Sequence, residues 1–256
     1  MSSSESHLSY HADLKGRYEP RTYRDLLSRD DLVLFTVAVG ETDLAIRAER
    51  ELSHQAVLAI RDARRQIERY ILRHPEFETS LEPVEVDEDA GTVVLQMAEA
   101  GEKAGTGPMA AVAGAIAEHV GERLLESSKE VIVENGGDIF VRSLKERVIG
   151  IYAGTSPLSG KIALKISPSS SSLGVCTSSG TVGHSTSFGK ADAAVVISRS
   201  TPLADAVATA TCNNVKGTKD IGKAIDFAMR IEGVLGVVLI IGNRLGVWGE
   251  VELTRL

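Results

Sequence analysis

The spacing of apolar and polar positions predicts hairpins and long helices in the first half of the chain. Residues 31–48, DLVLFTVAVGETDLAIRA, alternate around a Gly-Glu-Thr-Asp break and predict a β-hairpin. Residues 53–74 place apolar side chains at helical spacing and end at a proline, which predicts a helix. Residues 82–101 suggest a strand, a turn and a second strand, and residues 105–128 predict a second long helix with Pro108 at its first position.

The second half follows the same two patterns. Strands flank a turn in residues 129–143, and the strand pattern continues through VIGIYAG and GKIALKI. The buried strand AAVVIS precedes a helix, STPLADAVATATCNNV, with Thr201 as its expected N-cap and Pro202 at its start. A further capped helix, TKDIGKAIDFAMRIEG, is expected to end at glycine, and VLGVVLIIGNRLGVWGEVEL predicts a closing hairpin. We therefore predict one α+β domain over residues 21–256, after a flexible segment of residues 1–20.

Composition narrows the class of protein. The 256 residues are 43% hydrophobic and 25% charged, which is typical of a soluble globule with a sizeable core. A formal net charge of −7 argues against a nucleic-acid partner, although a small phosphorylated ligand needs only a local cluster of donors. The longest apolar run, residues 233–242, is too short to span a membrane, and the first residues show no signal-peptide pattern. With two cysteines in all, Cys176 and Cys212, we expect a reduced, cytoplasmic protein.

Two glycine-containing segments have both a functional and a structural interpretation. In GTGPMAAVAGAIA the start of a helix carries little side-chain bulk, so its unpaired N–H groups and its dipole could attract an anion. Packing of a small-residue face against another element explains the same pattern. In VENGGDIF, Asn-Gly is a strong hairpin signal. The functional interpretation adds Asp138 at the mouth of a sheet, where its carboxylate can reach a ligand, with Glu134 and Asn135 beside it.

The helix that contains Asp205 could provide half of a metal site. Asp205 and Thr209 are four residues apart and share a helix face, and Cys212 lies three residues further along the same stripe. A carboxylate one turn from a hydroxyl is a suitable half-site for Mg²⁺, which prefers oxygen ligands and keeps several waters. Alternatively, Asp205 is an exposed first-turn residue that stabilises the helix dipole while Thr209 and Cys212 pack inward.

Residues 176–192, CTSSGTVGHSTSFGKAD, are rich in hydroxyl groups and glycine. A metal site of Cys176, His184 and Cys212 has too few ligands and lacks paired CxxC spacing. A glycine-rich cradle, whose N–H groups and hydroxyls contact a phosphate or a ring edge, fits the residue types best. A solvated serine-rich loop is the alternative, but strand-like sequences on both sides attach the segment to the end of a sheet.

The same segment contains the residue types of a catalytic triad. Ser178 or Ser179 could be combined with His184 and Asp192. The Gly-x-Ser-x-Gly elbow is absent, and triad members meet through the fold rather than through nearness in sequence. The triad is therefore disfavoured.

Several of these segments, taken in order, resemble a known family. VIVENGGDIFV, GVCTSSGTVGHS and ADAVATA are similar to the GGD turn, the T-S-G stretch with its following histidine, and the D-A-x-A-T helix of the ApbE-like FAD:protein FMN transferases. AGTGPMAAVAG falls where that family has a K-G-x-A-x-D helix start. This resemblance covers about residues 100–215. Over nearly the whole chain, the sequence more closely resembles an uncharacterised ApbE-related family that carries GPMAAVAGAIAE, VENGGDI and CTSSGTVGHS almost verbatim.

The resemblance implies an α+β fold with mixed or antiparallel sheets packed against long helices and a ligand cleft between two interlocked halves. FAD would lie in the cleft, and Mg²⁺ beside its pyrophosphate would help to transfer FMN to a threonine of a protein acceptor. Asp205 and Thr209 match the metal ligands, a backbone carbonyl near Ala104 or Gly105 could complete the set, and His184 matches the family histidine. The expected cofactor-binding residues are Gly136, Gly137, Asp138, Thr177, Ser178, Gly180, Gly107 and Met109.

The sequence also departs from the family pattern. Thr106 and Ala111 replace its lysine and aspartate, which removes charge that would position a pyrophosphate or a metal. Three functions therefore remain open. The first is a flavin- or nucleotide-binding ApbE-like protein, extending to FMN transfer. The second is a different small-metabolite enzyme with Cys176 and His184 as catalytic residues, since an imidazole can activate a thiol. The third is a non-enzymatic binding or scaffold protein.

Overall fold

The computed structural model of the protein describes residues 31–181 and 189–256. The strands are β1 (Val33–Val39), β2 (Thr42–Ala48), β3 (Val131–Asn135), β4 (Asp138–Arg142), β5 (Arg147–Gly150), β6 (Ile162–Ile166), β7 (Leu173–Ser178), β8 (Ala193–Ser198), β9 (Val234–Ile241), β10 (Arg244–Gly249) and β11 (Glu252–Arg255). The helices are α1 (Ser53–Arg73), α2 (Glu76–Thr79), α3 (Thr92–Ala104), α4 (Val112–Leu125), α5 (Thr201–Asn213) and α6 (Ile221–Ala228), and short 3₁₀ turns cover Pro108–Ala111 and Thr218–Asp220.

Eight of the strands form one sheet in the order β1-β2-β3-β4-β7-β8-β9-β10, and every neighbouring pair is antiparallel. The chain leaves this sheet between β4 and β7, where it forms β5 and β6, and again after β10, where it forms β11. These three strands make a second sheet in the order β11-β6-β5. Because β4 and β7 are neighbours, the turn before β4 and the loop after β7 lie at the same end of the sheet.

The eight-stranded sheet has a different layer on each face. Side chains alternate between the two faces, so Val133 and Phe140 enter the core beneath the helices. Ile132 and Val141 enter a second core beneath the three-stranded sheet. This arrangement confirms the predicted α+β class with antiparallel sheets packed against long helices. None of the helices within the described ranges is both long and apolar enough to cross a membrane.

The largest error in the predicted elements concerns residues 82–101. The predicted strand, turn and second strand are wrong, because α3 occupies residues 92–104 and no regular element precedes it between residues 80 and 91. The run of Val93 and Val94 suggests a strand locally. Both residues are nevertheless buried with Met97 and Ala98 on one face of a helix, so tertiary packing outweighs the intrinsic preference.

Three predicted helix boundaries also change. Pro108 begins a 3₁₀ turn, and the α-helix starts only at Val112. Ser200, rather than Thr201, caps α5, since its side chain accepts a hydrogen bond from the Leu203 N–H. α6 ends at Ala228 instead of at a glycine. The predicted first hairpin, α1, the β3–β4 turn and the closing hairpin are confirmed.

Candidate functional site

The β3–β4 turn places a carboxylate at one end of the large sheet. Gly136 and Gly137 have φ values of 68° and 108°, in the left-handed region that glycine adopts without strain. The Gly137 N–H donates to Glu134 Oε1 at 2.9 Å, which closes the turn. Asp138 therefore becomes the first residue of β4. The predicted hairpin and the predicted position of Asp138 at the sheet end are compatible interpretations of the same motif.

Asp138 faces the helical layer, opposite Cys176 in the β4–β7 register. Its carboxylate is buried, and the Oδ1 atom has no hydrogen-bond partner among the described residues. Burial raises the pKa of Asp138 well above its ordinary value, and repulsion from Asp205 and Glu134 raises it further. Hydrogen bonds from the Cys176 thiol and the Thr177 backbone lower the pKa of Asp138 without offsetting the rise, so the site holds a buried carboxyl group with no cationic partner among the described residues.

Asp205 lies one turn into α5 and is also buried, so the alternative of an exposed first-turn aspartate is wrong. Its Oδ2 atom accepts a hydrogen bond of 2.8 Å from the Gly114 N–H in the first turn of α4. Burial raises the pKa of Asp205 to about 7, although hydrogen bonds from the backbone of Gly114 and Ala113 oppose the shift. The anion-attracting helix start that the sequence predicts thus binds a carboxylate of the protein itself.

The surroundings of Asp138 and Asp205 can be compared with the ligands that the predicted Mg²⁺ ion would need. Within residues 31–181 and 189–256, no group of three or more His, Cys, Asp or Glu side chains could hold a metal ion. Mg²⁺ commonly binds one or two carboxylates and takes waters and ligand phosphates for its other positions. Asp205, the Asp138 oxygen without a partner and half-buried Thr209, one turn beyond Asp205, suit that mode of binding. The carbonyl predicted near Ala104 or Gly105 would come from the end of α3.

The environment of Cys176 disfavours a nucleophilic role. The thiol is completely buried and donates to the Thr201 carbonyl oxygen at 3.4 Å. Burial raises the pKa of the Cys176 thiol well above its ordinary value, and the charges of Asp138 and Asp205 add to the shift. Since the thiolate is the reactive form, this environment suits packing better than catalysis. The predicted partner, His184, lies outside the described residues.

In the loop after β7, the described residues 179–181 contact the described residues 189–192. Ser178 lies on the same face as Cys176, is buried, and has an Oγ atom without a hydrogen-bond partner among the described residues. Thr177 lies on the opposite face. The Gly180 N–H donates to the Ala191 carbonyl oxygen at 2.9 Å. A Cβ atom on Gly180 would lie 2.0 Å from the Gly189 carbonyl oxygen, so close backbone approach requires glycine here.

Asp192 anchors this loop. One of its carboxylate oxygens accepts from the Thr181 hydroxyl at 3.3 Å, and the other accepts from the Gly242 N–H at 2.6 Å. Both oxygens therefore have partners in the loop itself and in the β9–β10 turn. This arrangement gives Asp192 a structural role. The rejection of a Ser–His–Asp triad stays a prediction, because His184 lies outside the described residues.

Gly107 and Met109 lie at the start of the small-residue segment. A Cβ atom on Gly107 would lie 1.8 Å from the Ser80 carbonyl oxygen, and Met109 packs against the helical core. At Gly114 a Cβ atom would lie 2.6 Å from the Thr201 carbonyl oxygen. These contacts support the packing interpretation of the segment. The assignment of Gly107 and Met109 as cofactor-binding residues stays a prediction.

Glu118 is a part of the site that the sequence predictions miss. This buried residue of α4 accepts the Thr201 N–H through Oε2 at 2.6 Å, and Gln96 of α3 donates to Oε1 at 3.4 Å. Burial raises the pKa of Glu118, although the hydrogen bonds from Thr201 oppose the shift. The available signal is a single acidic residue within the apolar run AGAIAEHVG, four positions after Gly114.

A hollow of about 300 Å³ lies elsewhere, between α1 and the start of α3. None of the predicted site residues lines it. The residues that line it are Asp62, Arg65, Gln66, Arg69, Arg73 and Gly91.

The fold is that of the ApbE flavin transferases. The flavin transferase ApbE of Vibrio cholerae superposes with a TM-score of 0.56 at 12% identity, over 85% of this chain and 96% of that one. The apo flavinyl transferase ApbE of Pseudomonas stutzeri gives a TM-score of 0.53 at 15% identity, over 85% of this chain and 94% of that one. At these identities the likeness concerns the fold alone.

Sequence comparison identifies the family. A family model described as AbpE bacteria matches residues 24–252. A UPF0280 protein of Methanocaldococcus jannaschii is 41% identical over 226 residues, which are 86% of this chain and 92% of that protein. A UPF0280 protein of Methanosarcina acetivorans is 43% identical over 219 residues, 84% of this chain and 86% of that protein. The chain belongs to this ApbE-related family, which confirms the predicted relationship.

Proposed function

We propose that this protein binds a flavin nucleotide, with FAD as the first candidate, at the sheet end formed by the β3–β4 turn and the end of β7. In this proposal Asp205 and Thr209 hold a Mg²⁺ ion beside the phosphates of the ligand. The observation that carries the proposal is the pair of buried carboxyl groups, Asp138 and Asp205, which have raised pKa values and no described cation beside them.

Burial of the two carboxyl groups has an energetic cost. An ionised carboxylate in a poorly solvated position is unfavourable unless a partner compensates its charge. A divalent cation is often the largest local charge in such a site, and it reverses the unfavourable electrostatics. Asp138 Oδ1 and Ser178 Oγ have no described hydrogen-bond partner and face the same side of the sheet, which suits polar atoms of a ligand.

The fold and the family support a flavin as the ligand, since the solved neighbours are named flavin transferases. Gly136 and Gly137 have no side chain, so a ligand can approach the turn backbone closely. A Mg²⁺ ion, when bound, would neutralise phosphate charge. Asp205 would orient it, Ser178 would donate or accept a hydrogen bond, and the buried wall of Cys176 and its neighbours would exclude water.

Transfer of FMN to a protein threonine is the stronger form of the proposal. A bond forms between the threonine oxygen and the flavin-side phosphorus, the pyrophosphate P–O bond breaks, AMP leaves, and the hydroxyl proton passes to solvent. Thr106 and Ala111 provide neither the lysine nor the aspartate of the transferase pattern. Binding and transfer therefore need separate experiments.

The binding experiment is thermal denaturation with FAD, FMN or ATP, each with and without Mg²⁺. A ligand at 100 times its Kd adds about 2.7 kcal/mol to the stability of the native state, which gives a clear shift in Tm. We expect a Mg²⁺-dependent shift with FAD. The matched control is Asp205→Asn, which retains an oxygen for the Gly114 N–H but removes the charge, and it should abolish the Mg²⁺-dependent part.

Absence of a shift with every flavin would contradict flavin binding. Release of AMP from FAD in the presence of a threonine-bearing acceptor, lost in Asp205→Asn, would support transfer. Tight Mg²⁺-dependent FAD binding without AMP release would limit the function to binding.

A further inference from the structure

α4 and α5 exchange hydrogen bonds at their first turns. Asp205 of α5 accepts the Gly114 N–H of α4 at 2.8 Å, and Glu118 of α4 accepts the Thr201 N–H of α5 at 2.6 Å. Gly114 and Glu118 are one helical turn apart, as are Thr201 and Asp205. We call these two contacts the reciprocal caps. They align the first turns of the two helices side by side in opposite directions.

The reciprocal caps require very close packing of the two helices. A Cβ atom on Gly114 would lie 2.6 Å from the Thr201 carbonyl oxygen and 2.9 Å from Asp205 Cβ. The first N–H groups of a helix have no partner within that helix, so a carboxylate from the neighbouring helix satisfies them and favours the helix dipole. Gln96 connects α3 to the same assembly through its 3.4 Å hydrogen bond to Glu118.

We infer that Glu118 is a positioning residue for Asp205, an inference that rests on the proposed Mg²⁺-binding role of Asp205. Glu118 fixes the first residue of α5, one turn before Asp205, and so sets where the Asp205 carboxylate stands relative to Asp138. The Gly114 N–H, at the start of α4, holds the Asp205 carboxylate itself through a hydrogen bond. A carboxylate has about four lone-pair positions, so Asp205 can keep its backbone donors and still bind a cation.

Glu118 contacts neither Asp138 nor Asp205 through any described hydrogen bond or ion pair, so its effect passes through the helix. Groups that orient metal ligands typically change metal affinity by 10–100-fold when they are removed. Removal of Glu118 should therefore weaken metal binding by a factor in this range, although the residue lies outside the proposed set of metal ligands.

The test measures Mn²⁺ binding, as a spectroscopic substitute for Mg²⁺, by the loss of the free-ion electron paramagnetic resonance signal, with and without FAD. We expect Glu118→Ala to bind Mn²⁺ roughly tenfold or more weakly than the wild type. Glu118→Gln keeps an oxygen acceptor for the Thr201 N–H and should bind close to the wild-type affinity. Glu118→Asp keeps the charge but shortens the side chain, and it should weaken binding even if the alanine variant does not fold.

The matched control is Glu130→Ala, which removes another buried carboxylate, before the start of β3 and away from the turn that carries Asp138. It should lower Tm without changing the Kd for Mn²⁺. The inference is overturned if Glu118→Ala and Glu118→Asp bind Mn²⁺ like the wild type, or if Glu130→Ala weakens binding equally. Failure of the wild-type protein to bind Mn²⁺ under either condition would instead overturn the proposed metal site, and the inference with it.

Discussion

Buried carboxylates occur at both ends of β3, and their surroundings differ. Before the strand, Glu130 accepts hydrogen bonds from Arg147 at 2.8 Å and from the Leu144 N–H at 3.0 Å, and it also pairs with the Ser143 hydroxyl. After the strand, Asp138 and Asp205 face each other's charge, and no described arginine or lysine forms an ion pair with either. Burial is common to both regions, but only in the first does a cationic side chain, Arg147, neutralise the buried carboxylate.

The pKa shifts of Glu130 and Asp205 therefore have opposite directions. Burial alone would raise the pKa of Glu130, but hydrogen bonds from Ser143, Arg147 and Leu144 outweigh it, so the pKa is lowered. Burial raises the pKa of Asp205 to about 7. A carboxylate whose partners are supplied by the fold contributes to stability. A buried carboxylate without a charged partner is unfavourable when ionised, and groups with such perturbed pKa values cluster at functional sites.

The strongest test of this difference replaces Arg147, the cationic side chain that pairs with Glu130. Arg147→Met should destabilise the protein by about 3–5 kcal/mol, because it leaves a buried carboxylate without its charged partner. Urea denaturation at pH 7 measures the loss. Binding of FAD and Mg²⁺ should be unchanged once the variant is folded. A loss below about 1 kcal/mol would show that the arginine does not compensate Glu130.

The two regions should also respond oppositely to pH. Asp205 has a folded-state pKa near 7 against an ordinary value of 3.8, so the folded state binds the proton more tightly. Its contribution to stability therefore falls as pH rises from about 4 to about 7. Glu130 has a lowered pKa, so its contribution is present above the ordinary value of 4.5 and is lost as pH falls through the folded-state value.

Unfolding free energies measured across pH 3–8 for the wild type, Asp205→Asn and Glu130→Gln separate the two contributions. Asp205→Asn should reduce the decline between about pH 4 and pH 7 and leave the part that comes from the raised pKa of Asp138, whereas Glu130→Gln should reduce the loss at acid pH. Mg²⁺ with FAD should reduce the decline in the wild type, since the cation favours the charged form. Identical pH profiles for the wild type and Asp205→Asn would contradict the raised pKa.

Local signals in the sequence predict most of the strand framework. Asn135 and Gly136 specify a tight turn, and the alternating residues on either side specify which face each strand buries, so β3 and β4 follow without knowledge of the rest of the chain. At Val93 and Val94 the local signal is misleading, because it favours a strand where the chain forms α3. Their burial on a helix face depends on the packing of α3 against α5, which no local window contains.

Prediction of the candidate site is limited in the same way, because part of it depends on contacts between distant segments. The sequence motifs identify Asp138 and Asp205, and the fold buries both near Cys176. The sequence does not identify Glu118, because its hydrogen bond from the Thr201 N–H joins residues 83 positions apart. Such a contact exists only after α4 and α5 pack together, and an acidic residue in an apolar helix is the sole trace of it in the sequence.

The smallest expected effect concerns Cys176, which separates the flavin-binding proposal from an enzyme that uses a thiol nucleophile. Cys176→Ala should cost about 1 kcal/mol of stability, as expected for the loss of a small group from a packed core. It should leave flavin and Mg²⁺ binding unchanged, because the thiol is buried and its pKa is raised. In the native wild type, alkylation of this thiol at neutral pH should be slow and should accelerate only on unfolding, which peptide mapping of the alkylated Cys176 and Cys212 would measure. Rapid alkylation of Cys176 in the folded protein, together with loss of activity in Cys176→Ala, would favour the thiol enzyme, because a buried thiol with a raised pKa has too little thiolate to react in that way.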